Sequence, residues 1–548
     1  MATWSRHELQ NLKIKTKSIE QTLVPLVTQI TTLVNAKARP IKSQRTIHTI
    51  VQVGQAVNIA IEQFVNVGEA IADDNPEIRQ DIYEACRDAR NAGAMMEQVC
   101  EIHQDYCGGW RSCADKTSMV HAAKTLLSSV AQILLLADTV VVKQLILAKE
   151  KVVLTLDSLE NVTHFTEFVR IFNQFGNEMV ELAHLTGDRQ NDLKSEKRHS
   201  QMAAARQILE RSMMMLLTSS KTCLRHPDCL SAQKNRDTVF KQVRKALDLV
   251  HFVVRDGISV EREICGSAFE DGRLTPTPSW KMEDLDLCMT IHSIIQKFES
   301  TVEVIRTSFI GPACREQLTS MLSTIIERTQ DFTDCAYTSH SHRKKIILLC
   351  NSAKLELNHL LRIGCSLDKG DSMFQMEEFE ASILQMLRAT KDLRQELEET
   401  ALNEAEEVIK IIQRTELLDL LRNASSAGDC DKLEEYAGSF CEMKEHVHEV
   451  CKLLHHVANT ESLQVTSKHT EICVKVYGSQ IITSCHTLCL HPTSKIAREN
   501  LDIFFDMWQA IANDFIHITH EINELCRRQT SENAIFFPLP QLGNFQQL

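Results

Sequence analysis

Glycine and proline are scarce, 17 and 10 in 548 residues, together about 5% where average usage is about 12%. With so few residues able to turn sharply or to wrap backbone amides round a phosphate, long helices are the default element. Aromatic side chains are equally few, at 5%. Strands draw on aromatic and β-branched residues between frequent turns, so a sandwich or barrel is excluded. Positive charge is in deficit too, because 60 Lys and Arg against 73 Asp and Glu leave a net charge of −13. A duplex-binding surface needs the opposite balance, which argues against nucleic acid. Long apolar runs are missing as well. The most apolar segment, Thr125 to Ala137, has 13 residues between Lys124 and Asp138, short of the roughly 20 that a spanning helix takes. It is expected to be a buried core helix, and no transmembrane segment is expected. No apolar signal stretch follows Met1. The class is all-α, and at about 150 residues per domain the length suggests three or four units.

What is present supports that class. Apolar residues recur in steps of three and four, as in Ile30, Leu33 and Val34, then Val53, Val57, Ile61, Phe64 and Val65. Such stripes lie on one helix face and must pair to be buried. Pro40, Asp73-Asp74-Asn75-Pro76, Cys107-Gly108-Gly109 and Arg225-His226-Pro227-Asp228 punctuate the first half. They mark off helices of about 25 to 35 residues, lengths that antiparallel bundles with short loops accommodate. Residues 257–284 carry Gly257, Gly266, Gly272, Pro276 and Pro278 with little periodicity, which predicts a linker. After Pro312 no proline occurs until Pro492; Gly364 to Asp371 and Ala424 to Asp429 are the softer stretches between. Residues 529–548 read as a flexible tail, with Pro538-Leu539-Pro540 the one docking-type motif in it. Glu377 to Glu449 holds 19 acidic and 8 basic side chains, a solvated helical surface or a receiver for a basic partner.

Catalytic chemistry finds little to stand on. The 19 cysteines form no C-x-x-C pair, and reduced cytosolic thiols are the expectation. A carboxylate-bridged di-metal centre needs Glu-x-x-His on two helices and a Glu on two more. Glu181/His184, Glu196/His199, Glu356/His359 and Glu445/His448 have that spacing but are scattered along the chain. Cys485-His486-x-x-Cys489-x-His491 has zinc-type ligands without zinc-type spacing, and Ile481, Ile482, Cys485, Leu488 and Cys489 already form an apolar stripe. Neither G-x-G-x-x-G, G-x-x-x-x-G-K nor H-E-x-x-H occurs. No catalytic residue, metal site or cofactor is assigned, and the chain is expected not to be an enzyme. Met213-Met214-Met215 with Leu216 and Leu217 is read as core rather than as an adaptable surface. Trp4, Trp110, Trp280 and Trp508 are too far apart to form a stacking platform for bases.

Several collinear segments carry a resemblance. They are Glu20 to Asn35 (E-Q-T-L-V-P-L-V-T-Q-I-T-T-L-V-N), Met119 to Asp138 with its A-A-K-T-L-L-S-S-V core, Phe172 to Val180 (F-N-Q-F-G-N-E-M-V), Met202 to Leu209, Cys223 to Pro227 and His491 to Asp502. Together, over about residues 12 to 525, they look like the alpha-catenin-like branch of the vinculin family. The resemblance implies tandem helical bundles: residues 1–256 as the amino-terminal bundles, 285–366 as a first middle-region bundle and 374–528 as a second, four-helix one. It implies a non-enzymatic adhesion and cytoskeletal scaffold, cytoplasmic and placed at the inner face of the plasma membrane at cell contacts. The partners it implies are proteins: a Rho guanine-nucleotide exchange factor, and vinculin or beta-catenin-like adhesion proteins. Family members continue into an actin-binding bundle, whereas this chain stops at Leu548. Direct actin binding is therefore not expected, and a shorter form that competes for adhesion partners is the alternative.

One segment stands out. Residues 342–367 are similar to the alpha-catenin helix that docks into the vinculin head, although Leu348 and Leu349 depart from its pattern. Ile346, Cys350, Ala353, Leu357, Leu360 and Gly364 follow steps of 4, 3, 4, 3 and 4. That is one seam, able to face either its own bundle or a foreign groove.

Overall fold

The computed structural model describes residues 16–36, 44–100, 102–104, 110–112, 116–255, 290–306, 311–367, 373–414 and 416–535. The expected linker 257–284, the glycine turn at 107–109 and the motif at 538–540 lie outside them, as do residues 536–548 of the expected tail. Residues 529–535 continue the last helix.

The described residues are almost entirely helical. In order they form α1 (Lys17–Ala36), α2 (Gln44–Asp74), α3 (Arg79–Cys100), α4 (Lys116–Glu160), α5 (Phe165–Asp192), α6 (Glu196–Arg225), α7 (Leu230–Arg255), α8 (Ile291–Val304), α9 (Pro312–Arg328), α10 (Gln330–Asp334), α11 (His340–Leu367), α12 (Met373–Ile412), α13 (Glu416–Ala427), α14 (Cys430–Val457), α15 (Glu461–Leu490) and α16 (Lys495–Ile535). One short antiparallel hairpin interrupts them, β1 (Ile102–Gln104) against β2 (Trp110–Ser112), with His103 opposite Arg111. At three residues per strand it left no alternating pattern in the sequence to read.

Helix ends fall where the backbone is denied a continuation. Pro76 cannot extend α2, and Arg79 reaches back to the carbonyls of Ala72 and Asp73 at 3.3 and 2.7 Å. At the end of α13, Gly428 turns left-handed with φ 70°. The amides of Gly428 and Asp429 then donate to the carbonyls of Ser425 and Ala424 at 3.3 and 3.1 Å. Asp429 at once caps α14 by accepting from the Lys432 amide at 3.2 Å.

The chain divides into two compact units. The first comprises residues 1–161, 170–202 and 247–261. Its core pairs the expected stripe Val57, Ile61 and Val65 of α2 with Ile82, Ala89 and Met96 of α3, Ile19 and Leu23 of α1, and Leu126, Val130, Ile133 and Leu136 of α4. Small residues let α2 and α3 approach closely: a Cβ on Gly54 would sit 2.7 Å from the Cβ of Cys100. Because that neighbour is fixed to its own backbone, Gly54→Ala is expected to destabilise this unit by about 1–3 kcal/mol, read as a lower urea midpoint with unchanged slope.

α4 is longer and more continuous than the 13-residue run suggested. By length and composition alone, the helix from Thr117 to Glu160 could cross a membrane. The sequence reading ended the run at Asp138, but apolar residues resume at Val140. The length argument therefore fails for α4. The Asp138 carboxylate is gripped instead by the buried Arg189 guanidinium of α5, with Nη1 to Oδ1 at 2.5 Å and Nη2 to Oδ2 at 3.2 Å. About a third of the apolar stretch is buried.

The second unit comprises residues 162–169, 203–246 and 262–548. Around α14, α15 and α16 it buries Phe440, Tyr477, Phe504, Trp508 and Phe515, with Trp508 edge-on to Phe440 at 5.0 Å between centroids. Segments of α6 and α7 join this core through polar ties. Arg211 forks onto Asp514 at 2.5 and 3.0 Å, Thr218 donates to Asn500 at 3.0 Å, and Asn235 donates to Gln480 at 3.0 Å. Met215 and Leu216 are fully buried, as the core reading requires, while Met214 faces solvent.

Candidate partner-binding helix

α11 begins at a serine cap. The Ser339 hydroxyl accepts from the His342 amide at 3.3 Å, and Arg343 hooks the carbonyls of Cys335 and Ala336 at 2.6 and 3.2 Å. The first turn is thereby fixed to the end of α10. From there the seam runs inward: Ile346, Cys350, Ala353, Leu357 and Leu360 are each 6% exposed or less, and Gly364 is buried. Ile363 is buried beside Gly364, because at 3.6 residues per turn the positions three and four beyond Leu360 share one face.

The main neighbour is α12, which runs antiparallel to α11. His342 near the start of α11 meets Glu396 at 2.8 Å, and His359 near its end meets Ser382 at 3.4 Å. Ser382, Met386, Ala389, Leu393, Glu396 and Thr400, in steps of 4, 3, 4, 3 and 4, form the facing stripe, and all are buried. α9 and α10 cover another side, where Thr329 contacts the Cys350 thiol at 3.5 Å.

Sequence reasoning missed one part of this site. Glu396 lies within the acidic stretch read as solvated, yet it is 1% exposed. Its carboxylate is held by His342 and by Lys345, whose ammonium pKa it raises. A carboxylate buried this deeply persists only when paired. His342 and Lys345, from the first turns of α11, therefore clip it to α12, while Glu377, Glu378, Glu380 and Glu406 do face solvent. No local signal in sequence separates Glu396 from them except its place on the α12 stripe.

The outer face of α11 is also partly apolar. Ile347, Leu348 and Leu355 are 52%, 59% and 69% exposed. The inner seam cannot meet a partner while it is packed. Baring Ile346, Leu357 and Leu360 alone forfeits about 1.5–3 kcal/mol each, so a foreign groove must replace what α12 supplies.

The other candidates disperse. Glu181 pairs with Lys151 at 3.3 Å and His184 is exposed. Glu445 and His448 gain a third group, Glu449, with ligand atoms within 4.8 Å of one another. Each surrounding carboxylate already faces an ammonium, Glu449 on Lys452 at 2.6 Å, Glu471 on Lys468 at 3.0 Å and Glu445 on Lys444 at 3.8 Å. The Cys485 to His491 groups point apart: Cys485 is buried, Cys489 meets Cys430, His486 reaches Glu434 at 3.8 Å, and His491 stacks on His226 at 3.9 Å.

Long antiparallel helices packed through buried apolar seams define an all-helical bundle protein. The Vinculin family model matches residues 13–535, and the chain belongs to that family. It is similar to alpha-catulin of Homo sapiens, at 42% identity over 97% of this chain and 70% of that protein. It also resembles catenin alpha of Drosophila melanogaster, at 30% identity over 91% of this chain and 52% of the relative. A solved vinculin homolog from a sponge shares the fold, with a TM-score of 0.61 at 13% identity, covering 93% of this chain and 60% of that one.

Proposed function

We propose that the chain is a non-enzymatic, cytoplasmic scaffold at cell contacts. It modulates Rho signalling by holding a Rho guanine-nucleotide exchange factor, and it offers α11 to a vinculin-type head when its bundle opens. Bundles over 1–256, 285–366 and 374–528 are part of the same proposal. The observation that carries the gating is the complete burial of Ile346, Cys350, Ala353, Leu357, Leu360 and Gly364 against the chain's own helices. A partner competing for those residues sees an affinity reduced by the fraction of molecules that are open. The match to a catulin over 97% of this chain and 70% of that protein supports the scaffold reading.

The test pairs a peptide of residues 340–367 with the intact chain, each titrated with vinculin head. Tight binding of the peptide and weak binding of the chain is the expected result; a silent peptide would remove the docking helix. A parallel titration of the intact chain with a Rho exchange factor should saturate, and failure there removes the signalling half alone.

A further inference from the structure

Two thiols far apart in sequence face each other at one end of the second unit. The Sγ atoms of Cys430 and Cys489 lie 3.3 Å apart across 59 residues. Cys430 is exposed at the start of α14, and Cys489 is buried in the last turn of α15. Their backbones are well anchored. Gly428 packs so tightly that an added Cβ would meet the Pro492 ring at 3.1 Å and the Cys489 carbonyl at 3.6 Å. The His491 amide holds the end of α15 by donating to the carbonyls of Thr487 and Leu488 at 3.2 and 3.0 Å.

We propose that Cys430 and Cys489 form an oxidation site that takes a hydroperoxide and closes to a disulfide, clamping the α13–α14 corner to the end of α15. Cys430 is the sulfur that solvent reaches. Its thiol attacks the peroxide oxygen, the O–O bond breaks, and water leaves with Cys430 as a sulfenic acid. The neighbouring Cys489 sulfur then displaces the hydroxyl as a second water and forms the S–S bond. In sum two thiols and one hydrogen peroxide give one disulfide and two waters. Burial and the neighbouring thiol push Cys489 up to about 11, so it is a poor first nucleophile; its Sγ, 3.3 Å from that of Cys430, is placed to resolve an oxidised partner. Cys485, one turn back, is buried and pushed to about 12, which keeps it out of the exchange. Closing this loop joins α14 and α15 into a covalent hairpin. Tension on the chain then bypasses residues 431–488 instead of pulling the two helices apart.

The full chain is treated with equimolar hydrogen peroxide, its free thiols are blocked, and it is digested and weighed. The expected product is a Cys430–Cys489 cross-linked peptide lighter by two hydrogens. The thermal midpoint of the second unit should rise by about 10 °C, fall back with dithiothreitol, and stay unmoved in Cys430→Ser, an exposed position that leaves the core intact. Cys430 recovered as sulfinic acid beside a free Cys489, a cross-link to some other cysteine, or a cross-link that leaves the midpoint unchanged would overturn the proposal. Cys441, also exposed, provides the internal comparison for ordinary surface oxidation.

Discussion

Between pH 6.5 and pH 4 the second unit is expected to lose on the order of 10 kcal/mol of stability, enough to unfold it above pH 4. The loss comes from His292, His455 and His469, each held to about 4 by burial against an ordinary value of 6.5. Arg394 beside His292, His456 beside His455, and Arg211 near His469 push the same way, while Asp514 opposes at His469. The geometry agrees with the direction. The Nδ1 of His455 faces the Gln464 carbonyl at 3.0 Å, which leaves Nε2 buried with no acceptor for a second proton. Below pH 6.5 the unfolded chain binds protons that the folded one refuses, so stability is full above 6.5 and drains as pH falls toward 4. Each group accounts for about 3 kcal/mol. Glu398 and Glu404, raised by burial, oppose this by protonating in the folded state first. Circular dichroism against pH reads the transition. His292→Leu should move it to lower pH and remove one proton from its slope; a transition that begins only below pH 4 would contradict the assignment.

The elements legible in sequence were those written in local periods and breakers. Steps of three and four gave the stripe Val57, Ile61 and Val65 its buried face, and gave the α11 seam its register, because an amphipathic helix carries its own orientation. Pro76, Pro227 and Gly428 gave helix ends for similarly local reasons. What was missed depends on the far side of a contact. Glu396 differs from its acidic neighbours only because His342 and Lys345, about 50 residues earlier, turn toward it. Asp138 read as the end of an apolar run because its partner Arg189 lies on another helix. Cys430 and Cys489 share no motif, since the turn at Gly428 and the end of α15 bring them together only in the fold.

Leu393→Ala is expected to raise the affinity of the intact chain for a vinculin-type head by about 100-fold while leaving the affinity of the isolated 340–367 peptide untouched. Leu393 lies on the α12 stripe facing α11 and is fully buried. Deleting its side chain costs the closed bundle about 3 kcal/mol through lost burial and the cavity left behind. Every residue that α11 would offer a partner is unchanged, so the intrinsic contact is preserved and only the opening equilibrium moves. Each 1.4 kcal/mol is about tenfold, which gives the two decades as long as the open fraction stays small. Glu396→Gln should act in the same direction more weakly, because it loosens the His342 and Lys345 clip without opening a cavity. A substitution on α11 itself cannot make this separation: Leu360→Ala would weaken the cage and the docked complex together. Calorimetric titration of the wild-type chain, Leu393→Ala and the peptide settles the mechanism. If Leu393→Ala melts at a lower temperature yet binds no better than wild type, opening of this bundle does not limit docking, and the seam of α11 serves only its own core.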